Sequence, residues 1–188
     1  MTEVIQAAAE LQALCESHGW GYCFIGGLAL QRWGEPRTTK DADLTLLTGF
    51  GREEHFVKPL LARFEARVAA PLEFALQYRV VLLRSSRGVG LDVALGALPF
   101  EEDCVRRSSV FVYPPQVPLR TCSAEDLVVM KAFAGRGQDW VDVERIIVRQ
   151  TGKLEWAYIR RQLAPLAELK ESPQTLTELE RRRAEFEG

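Results

Sequence analysis

The chain is poor in the residues that soft metals and redox chemistry need. It has two histidines, His18 and His55, and four cysteines, Cys15, Cys23, Cys104 and Cys122. No two cysteines form a C-x-x-C pair, so a Cys/His zinc site is not expected. Thiols this scattered, with no basic-then-apolar leader at Met1-Thr2-Glu3-Val4, fit a reducing compartment, and the expected location is cytoplasmic. No run approaches the roughly 20 apolar residues that span a bilayer, so no membrane role is expected. A formal net charge of −2 excludes the global basic field of many nucleic-acid binders, while leaving room for a local basic patch. No internal repeat is visible.

What is present is enough for a folded core. The 188 residues are 47% hydrophobic and 27% charged, a balance that argues against disorder and needs no disulfide or metal staple. One domain, or one core with a helical appendix, is expected.

Val4, Ala8, Leu11 and Leu14 recur at helical spacing over residues 3–17, and Gly19 is a suitable C-cap. Tyr22 to Ile25 reads as a short strand, broken by Gly26-Gly27. Leu28 to Trp33 reads as a short helix, Gly34-Glu35-Pro36 as a turn, and Ala42 to Leu47 as the next strand. Arg52 to Ala66 reads as a helix with Pro59 inside it. Arg79 to Arg84 and Leu91 to Leu95 read as strands in a hairpin-like connection, and Ser109 to Tyr113 as a further strand. Pro114-Pro115 and Pro118 mark a boundary loop. Beyond Thr121 the pattern turns helical, at about 124–134, 139–150, 154–168 and 174–186, with Ser123 as the first N-cap. The order is a mixed α/β half, 1–120, followed by a helical region, 121–188.

The chemistry gathers in the first half. Residues i and i+2 of a strand point to one face, so Asp41, Asp43 and Thr45 share a face while Ala42, Leu44 and Leu46 share the other. Adjacent carboxylates repel unless a cation lies between them or one is protonated. Mg2+ takes oxygen ligands, often one or two carboxylates with substrate phosphates. Asp92 alternates with Leu91 and Val93, and three acids converge if its strand neighbours that of Asp41 and Asp43. Gly26-Gly27, between a strand and a helix start, lets backbone approach an anion. Arg37, Thr38, Thr39 and Lys40 add cationic and hydroxyl donors just before the acids. Each part has a plainer reading: a turn for the glycines, a solvated edge for the acids, an Arg79 partner for Asp92, an Asp41 partner for Arg37. The ordered combination is more specific than its parts.

Gly26-Gly27, Asp41-x-Asp43 and Asp92 together resemble the signature of the nucleotidyltransferase (polymerase-beta-like) superfamily. The stretches Phe24 to Leu30 and Arg37 to Leu44 are similar to minimal bacterial members, including the abortive-infection toxin group. Glu125 to Arg136, followed by Asp139 and Asp142, resembles that group's second block, and together the blocks cover about 22–148. Many superfamily members have Gly-Ser where this chain has Gly26-Gly27, so a phosphate contact here falls to backbone N–H groups or to Thr38 and Thr39.

The resemblance implies an α/β (α+β) fold: a mixed-sheet nucleotidyltransferase core followed by a C-terminal helical region. It implies Mg2+-dependent transfer of an NMP from an NTP. Asp41, Asp43 and Asp92 would be catalytic and would hold metal, two ions in all. Gly26, Gly27, Arg37, Thr38, Thr39 and Lys131 would bind nucleotide. From the residues alone, Lys131 is equally a surface lysine lying along the Leu127, Met130 and Ala134 face. Asp139 and Asp142 are equally caps or partners of Arg136 and Arg145. The acceptor, small molecule or RNA, is not fixed. Two rivals stay open: a toxin-type enzyme that modifies RNA and is held by an antitoxin protein, and a nucleotide-binding protein without catalysis.

Overall fold

A computed structural model describes residues 1–187. In chain order it forms α1 (Thr2–Ser17), β1 (Tyr22–Phe24), α2 (Gly26–Trp33), β2 (Asp41–Leu47), α3 (Glu53–Arg63), β3 (Glu65–Ala66), α4 (Pro71–Tyr78), β4 (Val80–Arg84), β5 (Gly90–Gly96), α5 (Pro99–Arg107), β6 (Ser109–Tyr113) and β7 (Val117–Thr121). Four helices follow: α6 (Ala124–Ala134), α7 (Gly137–Arg149), α8 (Trp156–Leu169) and α9 (Gln174–Phe186). No described helix is long and apolar enough to cross a membrane. The chain divides into two compact units: Met1–Leu28 with Thr38–Cys122, and Ala29–Arg37 with the chain from Ser123 onward.

The first unit is built on a seven-stranded mixed sheet in the order β3-β4-β5-β2-β1-β7-β6. Its centre is the parallel pair β2–β5; β1 runs antiparallel to β2 and parallel to β7. Alternation decides which side of each central strand is dry. Ala42, Leu44 and Leu46 of β2 and Leu91, Val93 and Leu95 of β5 are all buried, and they join Val4, Ala8 and Leu11 of α1 and Val57 and Leu60 of α3 in one core. Fully burying each leucine or valine contributes about 1.5–3 kcal/mol, so slipping β2 by one residue, which would bury its acids instead, is strongly disfavoured.

Several expectations change. The helix expected to reach Ala66 stops at Arg63, because Glu65 and Ala66 pair with β4. Residues 71–78 and 99–107 are helical, and 117–121 is a strand, none of which the apolar pattern marked. Pro118 lies within β7 rather than in a boundary loop. Its carbonyl accepts a 3.0 Å bond from Gln12 Nε2 and the Arg120 N–H donates to Gln12 Oε1 at 3.0 Å, so the backbone groups of 118 and 120 face away from β6. Proline fits there because the N–H it lacks is not needed for the β6 ladder.

The second unit is helical after Ser123, as expected. Ser123 caps α6 by accepting from the Asp126 N–H at 3.1 Å, and Gly135, at φ +68°, closes the helix. The apolar face differs from the expected one: Leu127, Val128, Val129 and Ala132 are buried, whereas Met130 and Ala134 are only half-buried.

Candidate active site

The three predicted acids of the first unit are brought together by register. On the parallel pair β2–β5, Asp41 lies opposite Gly90 and Asp43 opposite Asp92. Registered neighbours in a sheet point to the same face, so Asp41, Asp43 and Asp92 all leave on the side opposite the leucine core. All three are half-buried, while Thr45, next along that face, is buried. The acids therefore sit at the open end of the face.

Two glycines make the room. The Asp41 carboxylate lies where a Cβ on Gly90 would be, and the Asp43 carboxylate lies where a Cβ on Gly26 would be, with Asp43 Cγ only 2.8 Å from that position. Gly26 also has φ +56°, a conformation open to glycine at little cost. The turn is tied to the acids by the sheet: the Ile25 N–H donates to the Asp43 carbonyl at 2.9 Å, and α2 starts one residue later. An anionic side chain thus lies against a helix start, where it is favoured. Gly27 is crowded by Thr39, whose Oγ1 would be 2.5 Å from an added Cβ and which donates to the Asp41 carbonyl at 3.0 Å. Thr39 therefore braces the entry to β2. Thr38 and Lys40 are exposed.

Asp92 has a partner that the sequence did not reveal. Arg67, just after β3, donates through Nη2 to Asp92 Oδ1, and its own N–H is fixed to the Leu82 carbonyl at 2.9 Å. Burial raises the Asp92 pKa above the usual aspartate range; the Arg67 charge opposes that rise and the nearby Asp41 charge adds to it. Arg67 Nε is buried without a hydrogen-bond partner among the described residues, so its donors are not all used. Arg79, the partner suggested for Asp92, instead bonds Glu53 and the Leu95 carbonyl.

Three aspartates offer only hard oxygen donors, the set Mg2+ prefers. Asp41 and Asp43, given space by Gly90 and Gly26, are the pair that would hold one such ion. Asp92 is held by Arg67, and among the described residues no group of three or more His, Cys, Asp or Glu side chains is disposed to hold a metal. A two-ion site would need Asp92 to exchange Arg67 for a cation.

The remaining predicted residues belong to the second unit. Lys131 is 9% exposed, and its Nζ lies 2.9 Å from both Asp139 Oδ1 and Asp142 Oδ2. Arg37 donates to Asp142 through Nε at 3.2 Å and Nη2 at 3.1 Å, and Gln138 adds a bond at 3.0 Å. Arg136 completes Asp139 at 3.0 Å. Burial is the largest influence on Asp142 and would raise its pKa, but the bonds from Lys131, Arg37 and Gln138 together hold it below the usual range. Lys131 is thus a buried ion-pair partner rather than a surface lysine. Asp139 pairs with Arg136 as anticipated, whereas Arg145 goes to Glu35. Arg37 bonds Asp142, not Asp41.

No curated protein matches the sequence. Among solved structures, an antigenic nucleotidyltransferase-like protein from Paracoccidioides brasiliensis is 17% identical with a TM-score of 0.51, over 96% of this chain and 93% of that one. The antibiotic-resistance factor ANT(2'')-Ia is 13% identical with a TM-score of 0.56, over 90% and 94%. The lincosamide antibiotic adenylyltransferase LnuA, solved with lincomycin bound, is 12% identical with a TM-score of 0.50, over 75% and 94%. At such identities the likeness establishes the nucleotidyltransferase fold. The family model described as nucleotidyl transferase AbiEii toxin, Type IV TA system, matches residues 13–186. The chain belongs to that AbiEii nucleotidyltransferase family.

Proposed function

We propose that the chain transfers a nucleoside monophosphate from an NTP to an acceptor hydroxyl in a Mg2+-dependent reaction centred on Asp41, Asp43 and Asp92. The observation that carries this reading is the register of β2 on β5, which sets Asp43 opposite Asp92 and Asp41 opposite Gly90. Bound Mg2+ would neutralise triphosphate charge and acidify the attacking hydroxyl. Asp41 and Asp43 would hold the ion. The backbone at Gly26 and Gly27 would admit the phosphates. Asp92, with its raised pKa, would take the proton of the acceptor hydroxyl. Arg67, released from Asp92, would turn its unused donors to phosphate oxygens. Arg37 and Lys131 could add to charge compensation only by sharing themselves with the aspartates they now neutralise. Such a site works mainly by positioning and electrostatics.

Incubation with Mg2+ and each labelled NTP, with an RNA pool or small hydroxyl compounds as acceptors, tests the reading. Label should pass to an acceptor with the native chain and not with Asp41→Asn. Absence of both binding and transfer for every NTP would sink it.

A second reading keeps the chemistry and makes RNA the acceptor, with an antitoxin as the restraining partner; the toxin family model favours it. Expression should then slow growth, and Asp43→Ala should relieve the defect. Growth impairment that persists in Asp43→Ala would count against this version. Small-molecule acceptors find their support in the lincosamide-enzyme likeness. Tight NTP binding with no turnover would instead mark a nucleotide-binding protein.

A further inference from the structure

The two outer strands of the sheet are finished differently. β3 is two residues long and begins with Glu65, so it offers little to another strand. β6 is five residues long, uncharged, and paired with β7 without a bulge from Ser109↔Thr121 to Tyr113↔Val117. Lysine, proline and bulges are the usual devices that blunt an edge, and 109–113 has none of them. Its side chains are also exposed: Val110 51%, Phe111 37% and Val112 50%.

The direction of its backbone follows from β7. The Pro118 carbonyl and Arg120 N–H are turned away from β6 to Gln12. Their registered partners are Val112 and Val110. In an antiparallel ladder both backbone groups of a residue point to the same neighbour, and registered partners share that behaviour. The N–H and C=O groups of Val110 and Val112 therefore face the open side of the sheet.

We propose that β6 is a pairing edge for a second copy of this chain, added antiparallel about a two-fold axis through Phe111. The occupant is argued from the strand itself. Ser-Val-Phe-Val-Tyr is nearly palindromic about Phe111. The two-fold register places Val110 opposite Val112 of the other copy twice over, using the outward backbone groups of both as reciprocal hydrogen-bonded pairs. Phe111 meets Phe111 of the other copy in the closer, non-hydrogen-bonded position. β-branched and aromatic cross-strand pairs of this kind are favourable. The interface is isologous, so it closes at two copies and joins two seven-stranded sheets into one.

A five-residue pairing is small, so the dimer is weak, with a dissociation constant of roughly 10–100 µM. Sedimentation velocity from low to high micromolar concentration should show a monomer–dimer equilibrium. The Val110→Lys/Val112→Lys variant sets like charges opposite one another at two exposed positions and should raise the dissociation constant at least about tenfold, with an unchanged circular dichroism spectrum and melting temperature. Mild oxidation should cross-link Phe111→Cys into a covalent dimer far faster than Ser109→Cys, whose opposite residue is Tyr113. A native chain that stays monomeric at every concentration overturns the proposal. So does a dimer that survives the double lysine variant, or one in which Ser109→Cys cross-links as well as Phe111→Cys.

Discussion

Two sets of aspartates in this chain show what surroundings do to one side chain. Asp139 and Asp142, in the helical unit, are fully partnered: Lys131, Arg37, Arg136 and Gln138 converge on them, and Asp142 is entirely buried. Asp41, Asp43 and Asp92, on the sheet, are half-buried, and Arg67 reaches Asp92. In the first set three cations, Lys131, Arg37 and Arg136, share two carboxylates; in the second three carboxylates crowd one strand face. A buried, satisfied cluster holds a structure together. The partly solvated sheet set is where the proposed cation would bind.

The contrast is sharpest at Lys131. Lys131→Met leaves two buried carboxylates short of a cation, and breaking a buried pair in this way costs about 3–5 kcal/mol. Urea unfolding should show that loss. Asp43→Asn should behave in the opposite way, leaving unfolding nearly unchanged while transfer falls by about a hundredfold to a thousandfold, the scale of losing one preorganised electrostatic contact. If Asp43→Asn destabilised the chain as much as Lys131→Met, the distinction between the two sets would fail. Gly26→Ala lies between them. It forces alanine into a left-handed conformation, at about 1–3 kcal/mol, and drives a methyl group into the Asp43 carboxylate, so stability and activity should both drop.

The gentlest probe is pH, because Asp142 and Asp92 shift in opposite directions. The Asp142 pKa is lowered, so its contribution to stability is present above the unfolded aspartate value of about 3.9 and is lost as pH falls through the lower folded value. Asp142→Asn should therefore remove part of the acid sensitivity of unfolding below about pH 4. The Asp92 pKa is raised, so the acid limb of transfer should lie above the ordinary aspartate range. Arg67 holds that value down, and Arg67→Gln should move the limb to higher pH. A limb that does not move would detach Asp92 from the role of base.

The sequence carried much of this. Strict alternation marked β2 and its acid face, apolar helical spacing marked α1 and α6 to α9, and Ser123 announced the start of α6. Short amphipathic elements escaped. α5 buries only Phe100 and Cys104 among its charges, too few for a period to show. β7 was hidden by Pro118 and Arg120, whose place in a strand makes sense only once Gln12 is beside them. The candidate acids were legible because they lie close to one another or in a recognisable strand. Arg67 was not, since nothing local marks a residue that acts 25 positions away. Lys131 was half legible: its seat beside an apolar face was visible, but the carboxylates awaiting it were not. Cys23 and Cys104, far apart in the chain, have their sulfurs 3.5 Å apart, a proximity that spacing alone could not show.

The parallel ladder between β2 and β5 has a consequence for how this protein tolerates change. Asp92 is held opposite Asp43 by strand register, not by the length of chain between them. The tip of the β4–β5 hairpin, Ser86-Arg87-Gly88, is exposed. Residues inserted there would lengthen the hairpin and leave the acids where they are, making that tip the natural place to graft a tag or reporter onto a working copy.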